Sequence, residues 1–258
     1  MNPTLKVLDQ RKSVRAYSKQ PVTDEEKDLI LQATFRAPTA GNLMLYSIIE
    51  VEDQAIKDRL AETCDHQPFI ARAPYLLLFL ADYQRWFDYF TYCEVERRSR
   101  ELSLPYRTPQ VGDLMIACCD ALIAAQTAVI AAESLGIGSC YIGDILEHHE
   151  IHSKLFNLSP YTVPITLICF GHPTSKREPA NRTLRFRREF IVHKNTYRRF
   201  SHQEMEAMFQ DLKERSFGDG KYPNGAENIG QTYFFKKFVA DYSIELSRSF
   251  KEILKNWD

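Results

Sequence analysis

Strands alternating with helices place the chain in the α/β or α+β class. Three stretches carry this reading. Thr23-Asp24-Glu25-Glu26 is a capping box that opens a helix. Tyr75–Ala81 and Thr162–Phe170 are continuous apolar runs, the pattern of strands buried on both faces. The segment from Asp113 to Gly136 reads as one long apolar helix.

The elements follow in order. Met1–Asp9 lacks the apolar stretch of a secretory leader, which predicts a cytoplasmic protein. After the capping box, Leu29, Ile30, Ala33 and Ala37 recur at helical spacing, and Pro38 restricts Ala37 and ends the helix. Tyr46–Val51 is a predicted strand and Gln54–Cys64 a predicted helix. Asp82–Arg100 is aromatic and then charged, with Trp86, Phe87 and Phe90 expected in the core. Leu102–Val111 holds two prolines and reads as a loop.

In the long helix the uncharged run Ala121–Ala132 falls well short of the ~20 apolar residues a bilayer needs. It is expected as a helix buried on most sides, with no membrane partner. Gly136 ends it as a helix C-terminal glycine. Ser139–Ile142 is a short strand ending at Gly143, and Gly171-His172-Pro173 stops the strand Thr162–Phe170. Residues 174–188 turn basic and read as a charged loop. His202–Arg215 is helical, 216–230 is a Gly-rich loop, and Tyr233–Trp257 is an amphipathic helix.

A length of 258 residues fits one large domain or two small ones. The formal net charge of −1 gives no support for a nucleic-acid partner. The six cysteines include no C-x-x-C pair and are expected as buried small hydrophobes in a reducing compartment, Cys118 and Cys119 among them. Gly136-Ile137-Gly138 follows a helix and lacks the third glycine of a dinucleotide fingerprint. His148 and His152 are i,i+4, but His149 stands where a zincin needs glutamate, so a solvated helix is expected and no metal. No P-loop and no nucleophile elbow is present.

What remains is a pair of short stretches. Arg11, Lys12, Ser13 and Arg15 bring three cations and a hydroxyl into five residues, a set suited to phosphate oxygens. Pro38, Thr39, Ala40, Gly41 and Asn42 form a small-residue turn whose backbone a flat ring could approach. Together they suggest a planar cofactor with a phosphate tail.

These stretches, with Gln67-Pro68-Phe69, Ala73-Pro74, Leu135-Gly136-Ile137-Gly138, Tyr141-Ile142-Gly143 and Gly171-His172-Pro173 in that order, resemble the nitroreductase family of FMN-dependent NAD(P)H oxidoreductases, nearest its flavin reductase-like branch. The resemblance spans roughly residues 5 to 200. It implies an α+β fold: a nitroreductase-like α/β/α sandwich with a mainly antiparallel central sheet, in an intertwined homodimer with FMN at the subunit interface. It implies an FMN-binding domain over 1–195 and a C-terminal helical extension over 196–258 packing on the dimer.

By the same resemblance Arg11 and Ser13, with Lys12 beside them, hold the FMN phosphate, and Arg182 is a second phosphate cation. Arg15 lies near the pyrimidine end of the ring, where a fixed cation stabilises the negative charge left by reduction. Pro38, Thr39, Ala40, Gly41 and Asn42 lie against the flavin. Gln67 pairs with the pyrimidine edge, and Tyr141, Ile142 and Gly143 bring backbone donors near N5 and O4. Met44 stands where many members carry glutamine, and Ala180 where a lysine often precedes the loop arginine.

The implied chemistry is ping-pong: hydride from NAD(P)H to flavin N5, then to a quinone, nitroaromatic or free flavin in the same place. A reductase or dehalogenase dedicated to one substrate, or a non-catalytic flavin-binding protein, are the alternatives.

Overall fold

The structure, a computed structural model, describes residues 1–174, 183–218 and 220–258. It forms two compact units, Met1–Arg177 with Glu245–Asp258, and Glu178–Ile244.

The first unit begins with α1 (Pro3–Gln10), capped by Asn2 with Pro3 in its first turn. No helix is among the sequence expectations here, although an Asn-Pro pair is a helix-start signal. α2 (Asp24–Thr34) carries the expected capping box, with Thr23 and Glu26 bonding reciprocally, but ends three residues before Ala37. β1 (Tyr46–Glu50), α3 (Gln54–Thr63) and the single turn α4 (Pro68–Ala71) follow. Every residue of β2 (Tyr75–Asp82) is buried, as its unbroken apolar run requires. The aromatic-then-charged stretch makes two helices, α5 (Gln84–Tyr92) and α6 (Val95–Glu101). The long helix α7 spans Val111–Ser134 and is closed by Gly136, whose φ of +78° is the left-handed conformation glycine adopts freely. β3 (Gly138–Ile142), α8 (His149–Leu155) and β4 (Thr162–Gly171) complete the set.

The strands form one antiparallel sheet in the order β1-β2-β4-β3. Alternation along β2 explains the layers. Leu77, Phe79 and Ala81 face α7, whose stripe Ala117, Ala121, Ala124, Ala125 and Ala128 lets helix and sheet approach closely. Leu76, Leu78 and Leu80 face the opposite way, onto Leu60 of α3 and Ile70 of α4. The result is helix, sheet, helix.

Several expectations need correction. α7 is not buried on most sides: its outer face exposes Met115, Ile116, Cys119, Leu122 and Ile123. Its length and composition also satisfy the test for a membrane span, although its inner face packs against the sheet. Cys93 and Cys119 are exposed and Cys118 is half-buried, whereas Cys64, Cys140 and Cys169 are buried as expected. The histidine helix is solvated on one side only. His152 is fully buried, its Nδ1 donating to the Ile145 carbonyl at 2.9 Å and its Nε2 bonded to the Thr63 hydroxyl at 2.9 Å. Burial holds its pKa down near 4.

The segment before α2 threads along the sheet edge. Ser13 makes a parallel bridge to Ser139, Val14 N donates to the Ser139 carbonyl at 2.9 Å, and Ser18 N donates to the His172 carbonyl at 2.8 Å. Two glycines permit this. Gly138 and Gly171 are cross-strand partners. A Cβ on Gly138 would stand 2.5 Å from Val14 Cγ2, and one on Gly171 2.6 Å from Tyr17 Cδ1.

The second unit holds α9 (Arg188–Ile191) and α10 (His202–Phe217, with a Ser201–Glu204 capping box), and the Phe186–Phe209 ring pair ties α10 to the segment just before α9. The amphipathic stretch expected as one helix over Tyr233–Trp257 is broken into α11 (Ile229–Tyr233), a π-helical turn Phe234–Phe238, and α12 (Asp241–Leu254). The stacked Phe234 and Phe238 rings sit on that turn.

From Glu245 onward the chain is again part of the first unit. Trp257 is fully buried beside Tyr161, and Arg248 forks onto Glu150 of α8 at 2.7 and 2.8 Å while also holding Glu245.

Two outcomes follow from these contacts. Gly138→Ala should lower unfolding free energy in urea by about 1–3 kcal/mol, since Val14 and the sheet backbone must move apart; an unchanged midpoint would contradict the threading. The Arg248 guanidinium holds the Glu150 and Glu245 carboxyls down from 4.5 to about 2. Depressed carboxylates stabilise the fold above their unfolded pKa and lose that contribution as pH falls through the folded value. The gap in melting temperature between wild type and Arg248→Ala should therefore be full above about pH 5 and close towards pH 2; a gap independent of pH would contradict it.

Candidate functional site

The threaded segment delivers its polar side chains to the β3 edge. Arg11 and Lys12 are half-buried, while Ser13 and Arg15 are exposed. Among the described residues no carboxylate pairs with Arg11, Lys12 or Arg15 within ion-pair distance, although the chain carries 34 acidic residues. Arg15 lies over the Phe69 ring at 5.8 Å, a contact that leaves its charge in place.

These groups converge on Cys140 of β3. Burial pushes the Cys140 thiol up, while Arg15, the Ser13 hydroxyl and Arg11 pull it down and Asp144 pushes it up. Tyr141 points to the α7 side, its hydroxyl donating to Gln126 Oε1 at 3.1 Å and raised to about 12 by burial against the opposing charge of Arg11. Ile142 is buried, whereas Gly143 is exposed with open space where a side chain would stand. Gln67 caps α4, and its Nε2 donates to the Cys64 carbonyl at 2.9 Å and to Asp144 Oδ2 at 2.7 Å.

The small-residue turn forms a second cluster. Gly41, Asn42 and Met44 have φ of +55°, +56° and +50°, so the backbone coils tightly and leaves several peptide groups outside any ladder. Side chains satisfy them. Asp120, 2% exposed on α7, accepts from Ala40 N at 2.9 Å and from Leu45 N at 3.1 Å. Thr39 Oγ1 accepts from Met44 N at 3.2 Å. From α5, Trp86 Nε1 donates to the Leu43 carbonyl at 2.7 Å, and Arg85 Nη2 donates to the carbonyls of Met44 at 3.0 Å and Tyr46 at 2.6 Å. Pro38, Gly41 and Asn42 remain exposed, with Thr39 and Ala40 half-buried.

The sheet keeps the two clusters apart. The turn leads into β1 and the basic segment lies along β3, the opposite edges of the sheet. Three inter-strand steps of about 4.8 Å put roughly 14 Å between the edge strands alone. Arg182 lies outside the described residues, as do Lys176, Arg177 and Ala180.

Sequence reasoning missed Asp120, Arg85 and Asp144. Asp120 had a signal, the one carboxylate between Asp113 and Glu133 of an apolar helix, since a charge there must be satisfied by something. Arg85 and Asp144 had none, because their partners are distant in sequence and fixed only by the fold. Among the described residues no group of three or more His, Cys, Asp or Glu could hold a metal.

The first cluster suits a phosphorylated planar group. Uncompensated guanidiniums and a hydroxyl match phosphate oxygens, and the open backbone at Gly143 admits a ring edge.

The profile of the family described as "Nitroreductase family" matches residues 8–172. The "FMN reductase [NAD(P)H]" of Bacillus subtilis (strain 168) is 29% identical over 244 residues, covering 94% of this chain and 91% of its own. An "NADPH-dependent oxidoreductase" of Staphylococcus epidermidis is 31% identical over 250 residues, covering 94% and 95%. The solved NADPH:FMN oxidoreductase of Vibrio harveyi, complexed with NAD+, superposes with a TM-score of 0.78 at 22% identity over 98% of each chain.

Asp120→Ala would strand two backbone N–H groups, which sets an expected loss on the order of 2–4 kcal/mol in denaturant unfolding. The Ala40 and Leu45 amides should exchange hydrogen faster by far more than those of β2. Equal protection in the variant would show that Asp120 does not hold the turn.

Proposed function

The chain belongs to the nitroreductase family, whose profile covers residues 8–172, and from that membership we propose how its two clusters serve one site. The protein is an FMN-dependent NAD(P)H oxidoreductase. The observation that carries the site proposal is the basic segment Arg11, Lys12, Ser13 and Arg15, held against β3 by the Ser13–Ser139 bridge and, among the described residues, without a carboxylate partner for its cations.

Arg11, Lys12 and Ser13 grip the phosphate, with Arg182 as a further cation by family resemblance. Bidentate guanidinium contacts fix the tail and so the depth at which a ring can sit. Arg15, held over Phe69, places positive charge at the pyrimidine end. Ile142 and Gly143 offer backbone N–H groups to the ring edge, and Tyr141 anchors that strand against Gln126. When bound, FMN supplies two-electron transfer from NAD(P)H to an acceptor. The chain's residues orient the ring, exclude water from one face and stabilise developing charge.

The turn 38–42 serves the same ring from a second copy of the chain. Opposite sheet edges keep it from the basic segment of its own copy, so a homodimer completes the site. The apolar outer face of α7, with Met115, Ile116, Leu122 and Ile123 exposed, is the surface on which the copies meet. Residues 1–195 form the flavin-binding domain and 196–258 a helical extension that packs on the dimer. Reduced nicotinamide and a quinone, nitroaromatic or flavin acceptor occupy the exposed face in turn, which makes the kinetics ping-pong. The working compartment is the cytoplasm, where reduced nicotinamide is supplied. Neither nucleic acid nor membrane is a partner.

The purified protein should be yellow and bleach when NADPH or NADH is added anaerobically. Arg15→Ala should lower the flavin reduction potential by on the order of 30 mV, a tenfold change in the two-electron equilibrium, and slow the bleaching. A colourless protein that stays so in excess FMN would refute the reading, and an unchanged potential would remove Arg15 from its role.

A further inference from the structure

Gln67, at the β3 cluster, has its hydrogen-bonding polarity already decided. A free carboxamide offers a donor and an acceptor side by side and can turn over to suit its partner. Here both amide hydrogens are committed, one to the Cys64 carbonyl at 2.9 Å and one to Asp144 Oδ2 at 2.7 Å. Neither partner can donate, so the reversed amide would set Oε1 against a carbonyl and a carboxylate. Gln67 is therefore left with an acceptor only.

Asp144 is itself well placed to enforce this. It opens a short 3-10 turn directly after Gly143, and Glu147 N donates to its carbonyl at 3.0 Å. The Glu147 side chain is buried beside it. Burial, together with the Asp144 charge, raises the Glu147 carboxyl to about 7. Asp144 Oδ2 accepts from the Gln67 amide at 2.7 Å.

We propose that Asp144 is a specificity-determining positioning residue: by locking the Gln67 amide it makes the site accept a hydrogen from the ring edge and so select ligands with an unsubstituted imide N–H. The inference rests on the flavin reading and adds which feature of the flavin is read. The isoalloxazine pyrimidine edge presents carbonyl, N3–H, carbonyl. Only the N3–H can satisfy a fixed acceptor, and a ring methylated at N3 would bury that acceptor unpaired against a methyl group.

The test compares FMN with 3-methyl-FMN by quenching of flavin fluorescence on the wild-type protein, on Asp144→Asn and on Asp144→Ala. Wild type should bind FMN at least tenfold more tightly than 3-methyl-FMN. Both variants should narrow that ratio at least threefold, because only the Cys64 carbonyl then opposes the turned-over amide. The ratio is taken within each variant, so a general loss of stability does not mimic the result. Should a variant fail to fold, the wild-type ratio and the other variant still decide. If wild type binds both flavins equally, or if the variants keep the wild-type ratio, Asp144 does not set specificity. If wild type binds neither flavin, the flavin reading falls and takes this inference with it.

Discussion

Gly138 and Gly171 stand opposite each other on β3 and β4, and the space left by their missing side chains is filled by Val14 and Tyr17. That exchange is what holds the basic segment against the sheet. With a methyl group at either glycine the chain from Ser13 to Ser18 would lift away, and the backbone bonds from Val14 and Ser18 would lengthen with it. Arg11, Ser13 and Arg15 are otherwise on an irregular stretch with long side chains. Only the threading converts them into groups at fixed positions against β3. Preorganisation of this kind determines whether charge is useful: a mobile arginine loses side-chain entropy on meeting a ligand, of order 2 kcal/mol, and a backbone already tied to β3 restricts where Arg15 can reach.

The turn at the other sheet edge is built on a different economy. Burying the Asp120 carboxylate inside an apolar helix is unfavourable by several kcal/mol unless it is solvated by the protein. The Ala40 and Leu45 amides provide that solvation, and they would themselves be stranded without it. Arg85 and Trp86 do the reverse for the carbonyls of the same turn. Each polar group is thus the remedy for another. The turn can expose Gly41 and Asn42 in left-handed conformations because its ends are gripped on both sides.

Much of this was legible beforehand. The apolar runs at Tyr75 and Thr162 fixed the central strands, and the Thr23–Glu26 box fixed the start of α2, because both are local signals. Glycine spacing marked Gly136 as the end of α7, but it did not disclose that Gly138 serves a contact with Val14, 124 positions away. His152 and Cys119 went the wrong way for one reason. Which side of a helix is covered depends on what packs there, and neither the Thr63 hydroxyl nor the bare outer face of α7 is written next to them in sequence. The break at Phe234–Phe238 has no glycine or proline to announce it. Family resemblance supplied the site residues as a set. The structure divided that set between two sheet edges, and Asp144 and Asp120 emerged as the groups that orient its members.

The central claim is that a single flavin is shared, gripped by the basic segment of one copy and covered by the turn of another. Mixed dimers of differently tagged chains test it most directly: one chain carrying Arg11→Ala and Arg15→Ala, the other Asp120→Ala. If the site is composite, one of the two sites in each mixed dimer collects every defect and the other is intact. The mixed dimer should then hold close to one FMN while either homodimeric variant holds almost none. If each site is built from a single chain, both sites in the mixed dimer are damaged, and an FMN content no higher than in the parent variants would contradict the account.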